Sequence, residues 1–182
     1  MAQVTTTKSG DPERGEPTTL KLPSRDPQLF LLRGGRRAWG GISTPLDDPD
    51  FSNQLKSLDR LAPLSTSFLD VGCGRGLMMS YVKRLNPSIT VVGIDVRAEA
   101  LLHAARHGEA RRVDAFQYKN YKAHDLIYLY RPLVEYREQL ALESLIIREM
   151  SVGATLVSLL PVHHLLCRPK ERGCYTKEKS SS

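Results

Sequence analysis

The sequence predicts an α/β domain whose mostly parallel sheet, of about five to six strands, carries helices on both faces. Three observations support this. Short β-branched runs alternate with segments of helical period, two of those runs end in an acidic residue, and the first is followed by three glycines at every second position. Strands that alternate with helices become parallel neighbours through right-handed crossovers. A continuous apolar run such as Ile89-Thr90-Val91-Val92-Gly93-Ile94 suits a strand covered on both faces.

The 182 residues, 41% of them hydrophobic, suffice for one buried core with tails. No stretch approaches the roughly 18 consecutive apolar residues of a membrane span, and the first residues lack the apolar block of a signal peptide. A cytoplasmic protein without a membrane partner is expected. Three cysteines in no regular framework fit a reducing compartment better than a disulfide scaffold. A net charge of +6 tolerates an acidic partner, nucleic acid included, but the basic residues are spread along the chain.

Residues 1–27 are polar, rich in Thr, Pro and Gly and without period, and read as a disordered or loosely attached arm. Residues 28–50 form an irregular basic segment around Arg33-Gly34-Gly35-Arg36-Arg37, either a surface loop pinned by Trp39 or a lid over a substrate. The domain proper is expected over 51–166, with a charged tail over 167–182. Phe51, Leu55, Leu58 and Leu61 share one helical face. Phe68 to Val71 is the first strand, and helix Leu77–Leu85 stops at Asn86-Pro87. Ile89–Asp95 is the second strand, followed by helix Arg97–His107 with Gly108 behind it. Arg112–Tyr118 is a weaker third strand, and Asp125–Tyr130 a strong fourth ended by Arg131-Pro132. Helix Val134–Met150 aligns Leu142, Leu145, Ile146 and Met150, and Gly153–Pro161 is the fifth strand.

In an open parallel sheet a ligand sits at the carboxyl ends of the strands. A glycine loop there lets backbone touch the ligand, since no Cβ intervenes. Asp95 follows the loop by roughly 20 residues, the place of a carboxylate that accepts from both hydroxyls of a ribose. Together they indicate an adenosine-containing ligand. A nicotinamide loop, Gly-x-Gly-x-x-Gly, needs glycine where Leu77 stands; the observed order is Gly-x-Gly-x-Gly, preceded by Asp70.

Asp70-Val71-Gly72-Cys73-Gly74-Arg75-Gly76 resembles the first motif of the class I S-adenosylmethionine-dependent methyltransferases. Asp95 is similar to that family's ribose-binding acid, Val113-Asp114-Ala115 to its third motif, Asp125–Pro132 to its fourth and Gly153–Pro161 to its fifth. The resemblance implies a Rossmann-like fold with S-adenosyl-L-methionine as cofactor. By it, Gly72, Cys73, Gly74 and Gly76 lie along the methionine part, whose ammonium Asp70 orients. Asp95 and the adjoining Val96 take the ribose side, Asp114 accepts from the adenine amino group, and the Ala115 N–H donates to the ring. Tyr130 and Arg131 are the catalytic candidates, since residues just past the fourth and fifth strands face the methyl acceptor; Pro132, His163 and His164 stand beside them.

The departures from the family also carry meaning. Leu129-Tyr130-Arg131-Pro132 replaces the Asn- or Asp-Pro-Pro-aromatic box of the enzymes that methylate exocyclic amines of nucleic acids. Gly40–Pro45 faintly resembles the entry of small protein lysine methyltransferases, and Tyr128 with Tyr130 would shape a narrow channel for an amine. A protein lysine or small-molecule acceptor is therefore preferred over nucleic acid. Only residues 162–182 follow Pro161, so the sheet is expected to be C-terminally shortened, with at most one strand at Cys174-Tyr175-Thr176. The edge left open invites the N-terminal arm, a protein partner or a second copy. The alternative function is a non-catalytic methyltransferase-like module that needs such a partner. His163, His164, Cys167 and Cys174 match no closed zinc site, and no metal is expected.

Overall fold

A computed structural model describes residues 49–130, 132–158, 167–171 and 174–178. The arm 1–27, the basic segment up to residue 48, Arg131, His163 and His164 lie outside the described residues.

Helix α1 (Pro49–Leu61) turns Phe51, Leu55 and Leu58 inward, as their spacing requires. Strand β1 (Ser67–Val71), helix α2 (Leu77–Leu85), strand β2 (Thr90–Asp95), helix α3 (Ala98–Ala104) and strand β3 (Glu109–Arg112) follow. Then come β4 (Leu126–Leu129), α4 (Tyr136–Glu149), β5 (Thr155–Ser158), β6 (Cys167–Glu171) and β7 (Cys174–Lys177). The sheet order is β3-β2-β1-β4-β5-β7-β6, with the first five strands parallel and β7 antiparallel to both of its neighbours. The order reverses between β1 and β4, which sets a crevice at their carboxyl ends.

Alternation along the strands divides the core in two. Phe68, Val91, Leu126, Tyr128 and Val157 face α1, α2 and α3, whereas Leu69, Val92, Ile94, Ile127 and Leu156 face α4 through Leu142, Ile146 and Ile147. Each such side chain contributes about 1.5–3 kcal/mol by leaving water. Helices on both faces follow directly from strands apolar on both faces.

Three expectations need correction. The third strand is Glu109–Arg112, not Arg112–Tyr118, because Asp114 accepts from the Phe116 N–H at 2.9 Å and winds Ala115–Gln117 into a 3-10 turn. Among the described residues the sheet has seven strands rather than five or six, and a complete antiparallel pair follows β5. It fits into so little chain because β6 and β7 are joined by residues 172–173 alone, and antiparallel strands need no long crossover. The domain therefore extends through Lys177, so residues 167–177 are not a tail. The edge expected beside β5 is covered by β7. Among the described residues the outer edges are β3, which pairs Arg111 with Glu109 at 2.6 Å, and β6, where Pro169 lacks an N–H and the register shifts beside it. Charge, proline and a bulge all disfavour pairing with another chain.

No helix among the described residues is long and apolar enough to cross a membrane. At the amino end of β4, Asp125 accepts from the Thr66 N–H (2.8 Å), the Ser67 N–H (2.9 Å) and both hydroxyls (2.9 Å each), which ties β4 to the start of β1. Burial alone would raise its pKa, but these four donors hold the carboxyl below the usual carboxylate range. A folded-state pKa below the unfolded value contributes stability above the unfolded pKa, and that contribution is lost as pH falls through the folded one. Asp125→Ala is expected to cost about 2–3 kcal/mol at neutral pH. In urea melts, the deficit should shrink once the pH drops below the ordinary carboxylate value of 3.8.

Candidate functional site

Strand β1 runs into a loop whose glycines all have left-handed backbone: Gly72 at φ 74°, Gly74 at φ 53° and Gly76 at φ 82°. Two of them are also held by close approach. A Cβ on Gly72 would stand 2.6 Å from Pro132 Cβ, and one on Gly76 would stand 2.7 Å from Ala104 Cα. The loop is thus wedged between the segment after β4 and helix α3. The N–H groups of Gly72 and Cys73 both donate to the Ile94 carbonyl at 2.9 Å, which holds the loop on the end of β2. Cys73 fills space over Gly93, and its burial pushes the thiol well above its ordinary range, so it is a packing residue and not a nucleophile.

Two acids lie beneath this loop with opposite electrostatics. Asp70, in register with Gly93 and Tyr128, is 3% exposed. Burial, then the charge of Asp95, pushes its pKa up to about 7, with a backbone hydrogen bond from Met79 opposing. Asp95, at the end of β2, is also buried, and burial alone would raise its pKa. Hydrogen bonds from the Arg97 side chain and from the Arg97 and Gly74 N–H groups outweigh burial and hold it below the usual range. One acid is neutralised by partners; the other is poised near neutrality.

Val96, directly after Asp95, is 59% exposed at the crevice rim, and its carbonyl accepts from Arg112 Nε at 3.2 Å. The Val113 N–H donates to the Asp95 carbonyl at 3.2 Å, which brings Asp114 and Ala115 to the same corner. There the Asp114 carboxylate caps the 3-10 turn through one oxygen, and the Ala115 carbonyl accepts from the Tyr121 hydroxyl at 2.7 Å. Phe116, partly exposed beside them, was not singled out from sequence, although an aromatic next to the Asp114 turn is a readable signal. Arg97 was also missed as a site residue; its place two residues after the acid was the cue.

The structure brings Asp70, Gly72, Cys73, Gly74, Gly76, Asp95, Val96, Asp114 and Ala115 to the carboxyl ends of β1, β2 and β3. The acceptor side is different. Tyr130 packs edge-on against Phe51, with ring centroids 5.1 Å apart, so its ring is committed to packing against α1. Tyr128 is fully buried and donates to Gln54 Oε1 at 3.2 Å; it lines no open channel. Arg131, the second catalytic candidate, lies outside the described residues. Pro132, against Gly72, is the described residue of that segment that meets the glycine loop. A separate cleft of about 410 Å³ between α2 and the turn after α3 is lined by Ser80, Lys83, Arg84, Arg106, His107 and Gly108, none of which belongs to this group.

Residues 68–133 match a family model described as a methyltransferase domain. Among solved structures, the plantazolicin methyltransferase BpumL in complex with SAH superposes with a TM-score of 0.52 at 19% identity, over 72% of this chain and 52% of that one. The same protein with a pentazolic desmethylPZN analog and SAH gives 0.51 at 19% identity, over 72% and 52%. The chain spans about half the length of these structures, and the likeness establishes a shared fold. No curated protein matches the sequence.

The loop geometry ranks its own substitutions. Gly72→Ala and Gly76→Ala combine a left-handed backbone with a clash and should each cost about 2–4 kcal/mol. Gly74→Ala, whose Cβ meets only the Arg97 guanidinium at 3.4 Å, should cost about 1–2 kcal/mol. Thermal unfolding of the three variants checks the order.

Proposed function

We propose that this chain, which shares its fold with methyltransferases of known structure, is a class I methyltransferase that binds S-adenosyl-L-methionine and transfers its methyl group to an acceptor. The observation that carries this reading is the loop of three left-handed glycines set above two buried acids at the switch in strand order. The residues fit the group. The glycines offer backbone without Cβ atoms, Asp70 offers a carboxylate for an ammonium, Asp95 one for a ribose, and exposed Val96 an apolar surface for a base. When bound, the cofactor supplies an electrophilic methyl group.

What remains for the protein is alignment. In-line displacement draws much of its acceleration from holding the two partners in register, and a base is needed only for a protonated acceptor. Pro132 against Gly72 sets the wall along which an acceptor would approach, with Arg131 as the candidate contact. The Leu-Tyr-Arg-Pro order supports a protein lysine or small molecule over a nucleic-acid base. Cys73 and Cys174, both buried free thiols, fit a cytoplasmic setting. One observation favours the alternative, a methyltransferase-like module without turnover: four donors already occupy the Asp95 carboxylate.

Isothermal titration with S-adenosylmethionine, S-adenosylhomocysteine and NAD tests the reading. Micromolar binding of the first two with none of NAD is expected; NAD binding alone, or no binding at all, would sink it. Asp70 adds a pH signature. With its pKa near 7 in the unliganded protein, it is neutral in mild acid and ionised above neutrality, and an ammonium pairs only with the ionised form. Affinity for S-adenosylmethionine should rise roughly tenfold from about pH 6 to about pH 8, with proton release on binding, and Asp70→Asn should abolish that rise. The same shift acts on stability with the opposite sense. A raised folded pKa gives stability that is complete below the unfolded value of 3.8 and lost as pH climbs through about 7, so the Asp70→Asn protein should keep its melting temperature across that window.

A further inference from the structure

Asp95 has no acceptor capacity left for a ribose. Its Oδ1 accepts from the Arg97 N–H (2.9 Å) and Arg97 Nε (3.2 Å), and its Oδ2 from the Gly74 N–H (2.9 Å) and Arg97 Nη2 (3.3 Å). A carboxylate offers about four lone-pair sites, and all are filled. Two of the donors are backbone groups fixed by the glycine loop and by the start of α3. The other two belong to a guanidinium on a long stem. The Asp95 side chain is 5% exposed and that of Arg97 is 59% exposed, so Arg97 is the partner with room to leave.

The position of Arg97 makes the contact costly unless it has a use. Arg97 is the N-cap of α3, yet its side chain caps nothing, where Ser, Thr, Asn or Asp would favour the helix. Instead the chain turns back two residues, and Nη2 comes to rest 3.4 Å from where a Cβ on Gly74 would stand, beside the loop surface that a ligand has to touch.

We infer that Arg97 is an internal stand-in for the ribose: its two guanidinium N–H donors hold the acceptor sites on Asp95 that the two ribose hydroxyls would take, so cofactor binding is an exchange whose affinity Arg97 sets. The inference rests on the S-adenosylmethionine reading above. Only molecules with Asp95 open are competent, and apparent affinity falls by that fraction. An ion pair with so exposed an arginine is modest in strength, which limits the reduction to about 2–5-fold. Salt screens the pair and opens the acid, so higher ionic strength favours binding of an uncharged nucleoside part.

The test is titration of S-adenosylhomocysteine into the wild-type protein and into Arg97→Met and Arg97→Gln, with thermal unfolding to show that each is folded. The two variants should bind about 2–5-fold more tightly than wild type. Raising NaCl from about 50 mM to about 500 mM should also narrow the affinity gap between wild type and Arg97→Met, since screening of the ammonium at Asp70 is common to both proteins and screening of the Arg97 pair is not, a response that a merely structural arginine would not give. Equal or weaker binding by both variants, with wild type binding, overturns the inference alone. Absence of binding in all three folded proteins overturns the cofactor reading and the inference with it.

Discussion

The structure depends on how closely backbone approaches backbone around the glycine loop. Pro132 from the segment after β4 and Ala104 from α3 press on Gly72 and Gly76 at distances that leave no space for a side-chain carbon. Through these two contacts the crevice is closed on both flanks by parts of the chain distant in sequence. The loop is not a flexible tether between β1 and α2. It is a fixed wedge, pinned to the Ile94 carbonyl, and this rigidity gives the acids beneath it a defined ceiling.

Those acids share a low-dielectric environment and resolve its cost in different ways. Asp95 is satisfied by four donors and stays ionised. Asp70 is raised toward neutrality by burial and by the charge of its neighbour. Two carboxylates so close are hard to ionise together unless one is paired, and Arg97 is the pairing group. Arg97 thereby keeps charged the acid whose field raises Asp70.

The fold was largely legible because the strands are apolar on both faces, and that signature leaves few arrangements besides a covered parallel sheet. The placement of the glycines and Asp95 at the strand ends was legible as well, because it follows from where the apolar runs stop. Short polar segments failed. Glu109–Arg112 carries no apolar period because it is an edge strand with one ion pair, and Val113–Tyr118 looks β-prone although the Asp114 cap bends it into a turn. Cys167–Glu171, with a proline and three charged residues, reads as tail; pairing with β7 makes it a strand, and pairing partners are not written in local composition. Tyr130 shows a different limit, since position past a strand end does not reveal that its ring will be taken by Phe51.

The place of β7 has a consequence for how the sheet comes together. It is the last of the described strands along the chain, yet it lies between β5 and β6 and supplies the hydrogen-bonding partner of β5. During synthesis β1 to β5 can assemble as they emerge, but β5 keeps one bare flank until residues 174–177 have left the ribosome. Leu156 and Tyr175, opposite one another in that pairing, then complete the α4 side of the core together. Closure of the β5 flank thus waits for residues 174–177, and a chain interrupted before them would present a sticky parallel sheet rather than a smaller stable one.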